Sequence, residues 1–259
     1  MHFKIADDSE GRLVVLSERR GLIKTSGNGI YVSLPDEAGP AGRSVSDVVL
    51  HGRIEIDELP ENIMCDWSGA YESGEPGFIE HGGPSVGLGV DPLFADIEQA
   101  TLKWASAYGM ADAMRLSRHT PVVCQGASFH SDAENFAQYG FCVVWLSQRD
   151  GLDLLFPNVD VRIPLEFGSI VFFDAAQPHG TVFEGYDSWC AQQYQRRAVD
   201  FRTRHFLSFD FPIAHPSVVC GLKLNLFSAE AGKHRHERLT VQGQHRTVDS
   251  VTGLWRKSP

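Results

Sequence analysis

The chain has 259 residues, of which 42% are hydrophobic and 22% are charged, and its formal net charge at pH 7 is −10. A globular protein of this size and composition buries a core without needing disulfides or a structural metal. The acidic balance argues against general binding to nucleic-acid backbones, because proteins that bind them are usually basic. We therefore expect no nucleic-acid partner.

The cysteine pattern and the apolar segments indicate in which cell compartment the protein is expected. None of the cysteines lies in a Cys-x-x-Cys pair, so neither a disulfide framework nor a zinc ribbon is expected. This usage is typical of the reducing cytoplasm. The first residues lack the apolar core of a secretion signal, and no run of about eighteen apolar residues predicts a membrane span. The cysteines are Cys65, Cys124, Cys142, Cys190 and Cys220.

Residues 1–90 are rich in turn formers and predict an N-terminal α+β elaboration made of short strands and loops. The glycines in this region match neither a phosphate-binding loop nor a dinucleotide fingerprint, so no nucleotide site is expected there. Strands are predicted at 13–16 and 29–34, with two further short strands at 48–50 and 54–56.

Residues 91–118 predict one helix. Asp91 is a favourable N-cap and Pro92 suits the first helical position. Apolar residues then recur at helical spacing to about Arg118, and we expect this stripe to buttress the sheet that follows. The stripe consists of Phe94, Ile97, Trp104, Tyr108, Ala111 and Met114.

Residues 119–212 change to short apolar segments separated by turns, which is typical of a β-sandwich or barrel. A two-sheet jelly roll of the cupin type is the leading candidate, and we expect one mainly β domain over the whole chain. Residues 213–259 are interpreted as a C-terminal extension, and their basic stretch 233–238 as a solvated segment. The strands are predicted at 121–124, 141–146, 152–156, 159–165, 169–173 and 205–211.

His130 and Asp132 form a His-x-Asp motif, and in an extended segment both side chains face the same side. One divalent ion can then take both, and His179 is the candidate third ligand. Two histidines and one carboxylate on one face of an ion, with open positions opposite, are typical of non-heme Fe(II) oxygenases. The plainer alternative is that these histidines are hydrogen-bonded structural groups, since so short a motif also occurs by chance.

The order of features in residues 119–212 resembles the double-stranded β-helix of the 2-oxoglutarate/Fe(II)-dependent oxygenases. His130-Ser131-Asp132 is followed by a glycine-led apolar strand, by the distal His179 and by Arg204 at the start of a late strand. The histidines lie 49 positions apart, at the compact end for that family. The resemblance covers about a third of the chain.

The resemblance implies that His130, Asp132 and His179 hold Fe(II), and that 2-oxoglutarate and O2 take the open positions. The distal carboxylate of 2-oxoglutarate then needs a cation, and an arginine suits it because its planar guanidinium forms two parallel hydrogen bonds. We expect Arg204 in this role, although it follows His179 by 25 positions, more than is usual in compact members. Arg202 is the alternative, because both share a face of an extended strand.

Weaker candidates line the predicted strands and loops. Gln125 lies on a strand that could border the cofactor, while His119 and His205 are expected to be structural. The side chains of Trp145 and Ser208 could point inward, and Tyr186 and Trp189 lie in a candidate lid.

Three functions fit these patterns. The first is a 2-oxoglutarate-dependent oxygenase that hydroxylates a small molecule, such as an amino acid or a natural-product intermediate, with a protein side chain as a variant substrate. The second is a cupin-like metal enzyme that does not use 2-oxoglutarate. The third is a binding module on a degenerate β-helix. The late arginine distinguishes the first function from the second.

Overall fold

The computed structural model describes residues 4–7, 13–16, 30–33, 42–57, 79–81, 85–196, 204–227, 239–241 and 244–257. Seven short strands lie before the first helix: β1 (Lys4–Asp7), β2 (Leu13–Leu16), β3 (Ile30–Ser33), β4 (Gly42–Ser44), β5 (Leu50–Arg53), β6 (Ile79–His81) and β7 (Val86–Gly87).

The first two strand predictions are confirmed at β2 and β3. The separate strands expected at 48–50 and 54–56 are replaced by β5, which pairs with a later core strand. Val48 and Val49 lie in a buried loop, where the Ser46 hydroxyl accepts a hydrogen bond from the Val48 amide.

The helical region begins as expected but is shorter than the single helix predicted over 91–118. The Asp91 side chain accepts from the Leu93 amide and caps a 3₁₀ turn (Pro92–Phe94), which leads into α1 (Ala95–Ser106). The chain then breaks at Gly109, whose φ of +70° is a left-handed value that glycine readily adopts. A short α2 (Ala111–Met114) follows.

The core strands follow α2. They are β8 (Arg118–Cys124), β9 (Tyr139–Trp145), β10 (Leu152–Phe156), β11 (Val161–Pro164), β12 (Ser169–Asp174), β13 (Gly180–Phe183) and β14 (Arg204–Pro212). A short α3 (Ala133–Phe136) precedes β9, and α4 (Ala191–Arg196) precedes β14. All six core strand predictions are confirmed, with ends that shift by a few residues.

The core strands form two antiparallel sheets. The larger has the order β5-β12-β9-β14-β8-β6, with β7 also pairing with β8, and the smaller has the order β11-β10-β13. A short extended segment at 127–130 lies beside β13. The chain therefore crosses repeatedly between the two sheets, which is the topology of a double-stranded β-helix. The predicted fold class is confirmed.

Strand periodicity creates two apolar cores. Along β14, Leu207, Phe209 and Phe211 face the helices, where Trp104 is 1% exposed and stacks on Phe172. The buttressing role predicted for the helical stripe is confirmed. On the other face of the larger sheet, residues such as Phe206 pack between the two sheets. Successive side chains of a strand point to opposite faces, so one strand serves both cores.

The remaining strands join early and late parts of the chain. A six-stranded sheet has the order β15-β4-β3-β16-β17-β18, and β1 pairs with β2. The basic stretch 233–238 lies outside the described residues. The late elements are α5 (Pro216–Gly221), β15 (Leu226–Phe227), β16 (Leu239–Val241), β17 (Gln244–Val248) and β18 (Trp255–Lys257).

No helix within the described ranges has both the length and the apolar character needed to span a membrane.

Candidate metal centre

His130 and His179 face each other on neighbouring segments. They form an isolated antiparallel bridge in which each backbone amide donates to the other's carbonyl at 3.0 Å. Asp132 does not continue this extended conformation, since it stands at the start of α3 with φ −89° and ψ 10°. The Asp132 amide donates to the Ala175 carbonyl at 2.9 Å. The His-x-Asp motif therefore presents its two side chains together through a bridge followed by a helical turn.

The three side chains converge on one point. The Asp132 Oδ2 atom lies 3.6 Å from His130 Nε2 and 3.4 Å from His179 Nε2, and all three donor atoms lie within 4.8 Å of one another. Ligands at right angles and roughly 2.1 Å from one ion lie about 3 Å apart, so small side-chain rotations bring these atoms onto one ion. Within the described residues, this is the one histidine, cysteine and carboxylate group with such geometry.

The backbone fixes the orientation of both imidazoles. His130 Nδ1 lies 2.7 Å from the Ser128 carbonyl oxygen, and His179 Nδ1 lies 2.9 Å from that of Gln177. Because a carbonyl oxygen can only accept, each Nδ1 carries the proton and each Nε2 offers its lone pair towards Asp132. Burial lowers the pKa of His179 to about 4, His130 lowers it further, and Asp132 opposes the shift. His179 is thus neutral near pH 7, as a metal ligand must be.

A buried ion pair supports the loop between β12 and His179. Asp174 accepts from Arg43 Nη1 at 2.5 Å and from Arg43 Nη2 at 2.7 Å, and both side chains are fully buried. Asp174 also accepts from the amides of Ser46 and Ala176 at 2.8 Å each. All four hydrogen bonds hold the turn at 174–176 in place.

The turn at 174–176 in its turn positions the segment that carries Ser131 and Asp132. The Ala175 carbonyl accepts a hydrogen bond from the Asp132 amide, and the Ala176 carbonyl accepts one from the Ser131 hydroxyl at 2.9 Å. Sequence reasoning missed Arg43 and Asp174. The one available signal was an aspartate ending an otherwise apolar strand, five positions before His179.

A late turn of the chain contacts the other side of this segment. The Ser250 carbonyl accepts from the Phe129 amide at 3.1 Å, and the Val251 carbonyl accepts from the Trp189 amide at 2.9 Å. Asp249 stabilises the turn by accepting from the amides of Val251 and Thr252. Residues near position 250 therefore take part in placing His130.

A cavity of about 590 Å³ opens beside the three donors and runs between the two sheets. Its walls are largely aromatic and aliphatic, and Trp145 stacks there on Phe206 with ring centroids 5.7 Å apart. Both inward-facing candidates, Trp145 and Ser208, line it. Among the described residues that line this cavity there is no lysine or arginine.

Arg204 lies outside the cavity wall. Its side chain is 10% exposed and its Nε atom donates to Asp150 Oδ2 at 2.7 Å, while Nη1 donates to the Gln125 carbonyl. Cys124 and Thr181 border the cavity at this end. The Gln125 side chain is buried, and its Oε1 has no hydrogen-bond partner among the described residues. Arg202 lies outside the described residues, so the cosubstrate role of all three residues stays a prediction.

The other candidates lie away from the donors. His119 is buried against Phe94, with Nδ1 at 2.9 Å from Glu98, and burial lowers its pKa. His205 is buried and points away from the cavity-facing side of β14. In the expected lid, Trp189 packs on Tyr194 and Tyr186 is 47% exposed.

Neither the family models nor the curated proteins give a match to this chain. Among solved structures, it is similar to a Pseudomonas putida prolyl-4-hydroxylase at 15% identity, covering 52% of this chain and 70% of that chain with a TM-score of 0.33. It is also similar to a 2OG complex of the viral collagen prolyl hydroxylase from Paramecium bursaria Chlorella virus-1, at 10% identity. That match covers 62% of this chain and 94% of that chain, with a TM-score of 0.37. A third similar structure is the alpha-ketoglutarate-dependent epimerase SnoN from nogalamycin biosynthesis, at 12% identity. That match covers 66% of this chain and 83% of that chain, with a TM-score of 0.35. Likenesses of this strength assign no activity to the chain.

Proposed function

We propose that this protein is an Fe(II)- and 2-oxoglutarate-dependent dioxygenase that hydroxylates a small molecule. The observation that carries the proposal is the convergence of His130, Asp132 and His179 beside a cavity of about 590 Å³. Two imidazoles and one carboxylate on one side, with open positions opposite, form the donor set of non-heme Fe(II) oxygenases.

The residues present fit the proposed ion. Both histidines offer Nε2 in a defined tautomer, and Asp132 supplies one negative charge, so that bound Fe(II) would keep a net positive charge. That charge favours an anionic cosubstrate on the open side. When bound, the ion and its keto acid supply O2 activation and substrate oxidation, while the chain supplies binding and orientation.

The cavity wall would keep water from the reacting position. The His179 ring packs against Phe173 with centroids 4.8 Å apart and against Phe156 at 5.9 Å. Phe141 and the Trp145–Phe206 stack extend this apolar lining. An enclosed apolar site limits side reactions of reactive species with water.

We assign the distal carboxylate of 2-oxoglutarate to Arg204. Among the described residues, it is the arginine behind the cavity end that Cys124 and Thr181 border. Binding would require the carboxylate to share or replace the ion pair with Asp150, which now occupies Nε and Nη2. Asp150 thus acts as a competing internal anion, which weakens 2-oxoglutarate binding in this proposal.

One observation favours a second candidate, a cupin-like metal enzyme that does not use 2-oxoglutarate. Arg204 is already paired with Asp150, and the described cavity-lining residues include no lysine or arginine. In that enzyme the Arg204–Asp150 pair would be structural, and the open side of the ion would bind the substrate directly.

Anaerobic addition of Fe(II) and 2-oxoglutarate tests the proposal. We expect a visible metal-to-ligand charge-transfer band for the native chain and none for His179→Ala. His215→Asn is the matched control, because His215 lies outside the cavity and asparagine can keep its N-cap bond to Ser217.

The same titration separates the two candidates. Arg204→Met should raise the 2-oxoglutarate concentration for half-saturation by about tenfold or more, with Fe(II) binding retained, whereas Asp150→Asn should lower it. Fe(II) binding without a band, and without 2-oxoglutarate-dependent O2 consumption, would support the second candidate.

A further inference from the structure

One face of β14 lines the cavity with three alternate residues. Phe206, Ser208 and Asp210 alternate along this face and all line the cavity. Arg204 begins the same face outside the cavity wall, about 20 Å from Asp210 by strand geometry. Opposite Asp210 in the strand register is Phe141.

Asp210 lies at the metal end of the cavity. Phe141 packs on Phe173 with ring centroids 5.8 Å apart, and Phe173 in turn packs on His179 at 4.8 Å. The charge of Asp132 also acts on Asp210. Asp210 therefore lines the same cavity as the three donors, with Phe141 and Phe173 between it and His179.

Nothing in the described structure neutralises this carboxylate. It forms no ion pair with any described lysine or arginine, and the Ser208 hydroxyl reaches it at 3.4 Å. Arg118 lies opposite in the strand register, but its side chain is exposed. Burial raises the pKa of Asp210 to about 6, the Ser208 hydrogen bond lowers it, and the charge of Asp132 raises it. Asp210 is half-buried, and a partly desolvated carboxylate without a cationic partner costs free energy that a bound cation would offset.

The surroundings of Asp210 are apolar on the side of β9, while Ser208 and Thr120 place hydroxyl groups on the side of β14 and β8. Phe141 and Val143 stand beside it on the next strand, and Phe136 packs on Phe141 with centroids 5.1 Å apart. A ligand that fits here needs an apolar body and one polar end. With Fe(II) and 2-oxoglutarate bound, Asp132 and Asp210 would leave the cavity with an excess of about two negative charges.

We propose that Asp210 binds a cationic group of the substrate, a protonated amine or guanidinium, while the apolar part of that substrate lies against Phe136, Phe141 and Val143. The position of this group beside the reacting centre rests on the proposed function. The ion pair would form in a partly desolvated site, where charge pairing discriminates between a cation and a neutral isostere.

Matched ligand pairs test this assignment without turnover. Benzylamine and benzyl alcohol, and 2-phenylethylamine and 2-phenylethanol, are titrated into the full chain loaded with Zn(II) and 2-oxoglutarate at pH 7.5. We expect the native chain to bind each amine about tenfold tighter than its alcohol. Asp210→Asn should equalise the pair, Asp210→Glu should keep part of the preference, and Arg118→Ala should leave it unchanged.

Three results would overturn the inference: equal binding of amine and alcohol by the native chain, no amine binding at millimolar concentration, or an amine preference that survives in Asp210→Asn. A structural role is separated by unfolding measurements, because a structural carboxylate would make Asp210→Asn less stable. The fate of the oxygenase proposal is read independently. If the charge-transfer band is absent and the amine preference is present, only the oxygenase proposal is contradicted. If the band is present and the amine preference is absent, only the assignment of Asp210 is contradicted.

Discussion

The buried pair of Arg43 and Asp174 should be among the largest single contributors to stability and to metal binding. Asp174 accepts four hydrogen bonds, two of them from the guanidinium, and neither side chain is exposed to solvent. Replacing one partner leaves the other charge buried and unpaired, which typically costs about 3–5 kcal/mol. We therefore expect Asp174→Asn to lower the free energy of unfolding by about 3–5 kcal/mol in urea denaturation.

A double-mutant cycle separates the pair from its surroundings. Arg43→Met should cost a similar amount, because Asp174 then keeps only the two backbone amides. The double variant Arg43→Met/Asp174→Asn should cost less than the sum of the singles by about 1 kcal/mol or more, since removing the second partner removes an already unpaired group. Additive single costs, or an Asp174→Asn cost below about 1 kcal/mol, would refute the reasoning.

Metal binding gives a second readout of the same pair. The turn at 174–176 positions Asp132 through the Ala175 carbonyl. Groups that hydrogen-bond directly to a ligand typically change metal affinity by about 10–100-fold, and Asp174 acts one step further away through the backbone, so we expect the low end of that range. Asp174→Asn should weaken Zn(II) or Fe(II) binding by about tenfold under conditions where the variant is fully folded. Arg53→Met, which removes an exposed ion pair with Glu166, is the matched control and should change neither quantity.

Three further predictions concern single sites. Asp210→Asn should raise the free energy of unfolding of the metal-free chain at pH 7, because a carboxyl whose pKa is about 6 when folded and 3.8 when unfolded loses stability as the pH rises through that window. The full shift corresponds to about 3 kcal/mol, and we expect about 1–2 kcal/mol because Asp210 is only half-buried, with little effect below about pH 3. Denaturation at both pH values checks this, and destabilisation at pH 7 would contradict it. Gly180→Ala should cost about 2 kcal/mol and weaken metal binding, because the new Cβ would lie 2.7 Å from the Phe129 ring and 2.9 Å from its backbone, and calorimetry with and without Zn(II) measures both effects. Iodoacetamide at pH 8 should label the exposed Cys220 and leave Cys124 unmodified, because burial raises the pKa of Cys124 to about 12; mass spectrometry of the peptides reads the result.

Local patterns predicted the parts of the fold that local physics controls. Short apolar segments located six of the seven core strands, since a buried strand is rich in apolar residues. The strand β13 was missed, because its four residues directly follow His179 and are too few to form a recognisable apolar segment. Asp91 predicted the start of the helical region, because an N-cap residue acts on backbone amides within one turn and can therefore be recognised from the local sequence. The break at Gly109 was missed, since the apolar spacing continued through it and a single glycine is tolerated in many helices.

The site was predictable to the extent that its chemistry was local in sequence. His130 and Asp132 are two positions apart, and a short motif is enough to suggest them. The buried pair of Arg43 and Asp174 joins positions 131 apart, and no spacing rule connects residues that meet only through tertiary packing. The ion pair between Asp150 and Arg204 was missed for the same reason, and it occupies the guanidinium that the sequence assigned to 2-oxoglutarate.

The turn that follows β17 contacts the segment next to the candidate metal centre. Phe129, next to His130, donates its amide to Ser250, and the Asn158 side chain holds the Gly253 carbonyl at 2.8 Å. Shortening the protein before position 249 would therefore remove one backbone hydrogen bond next to His130, although the cut lies more than a hundred positions away, while the bonds between His130 and His179 would remain. Assays on such a shortened protein would test the candidate metal centre with one of its backbone contacts missing, so comparisons between variants should keep this segment intact.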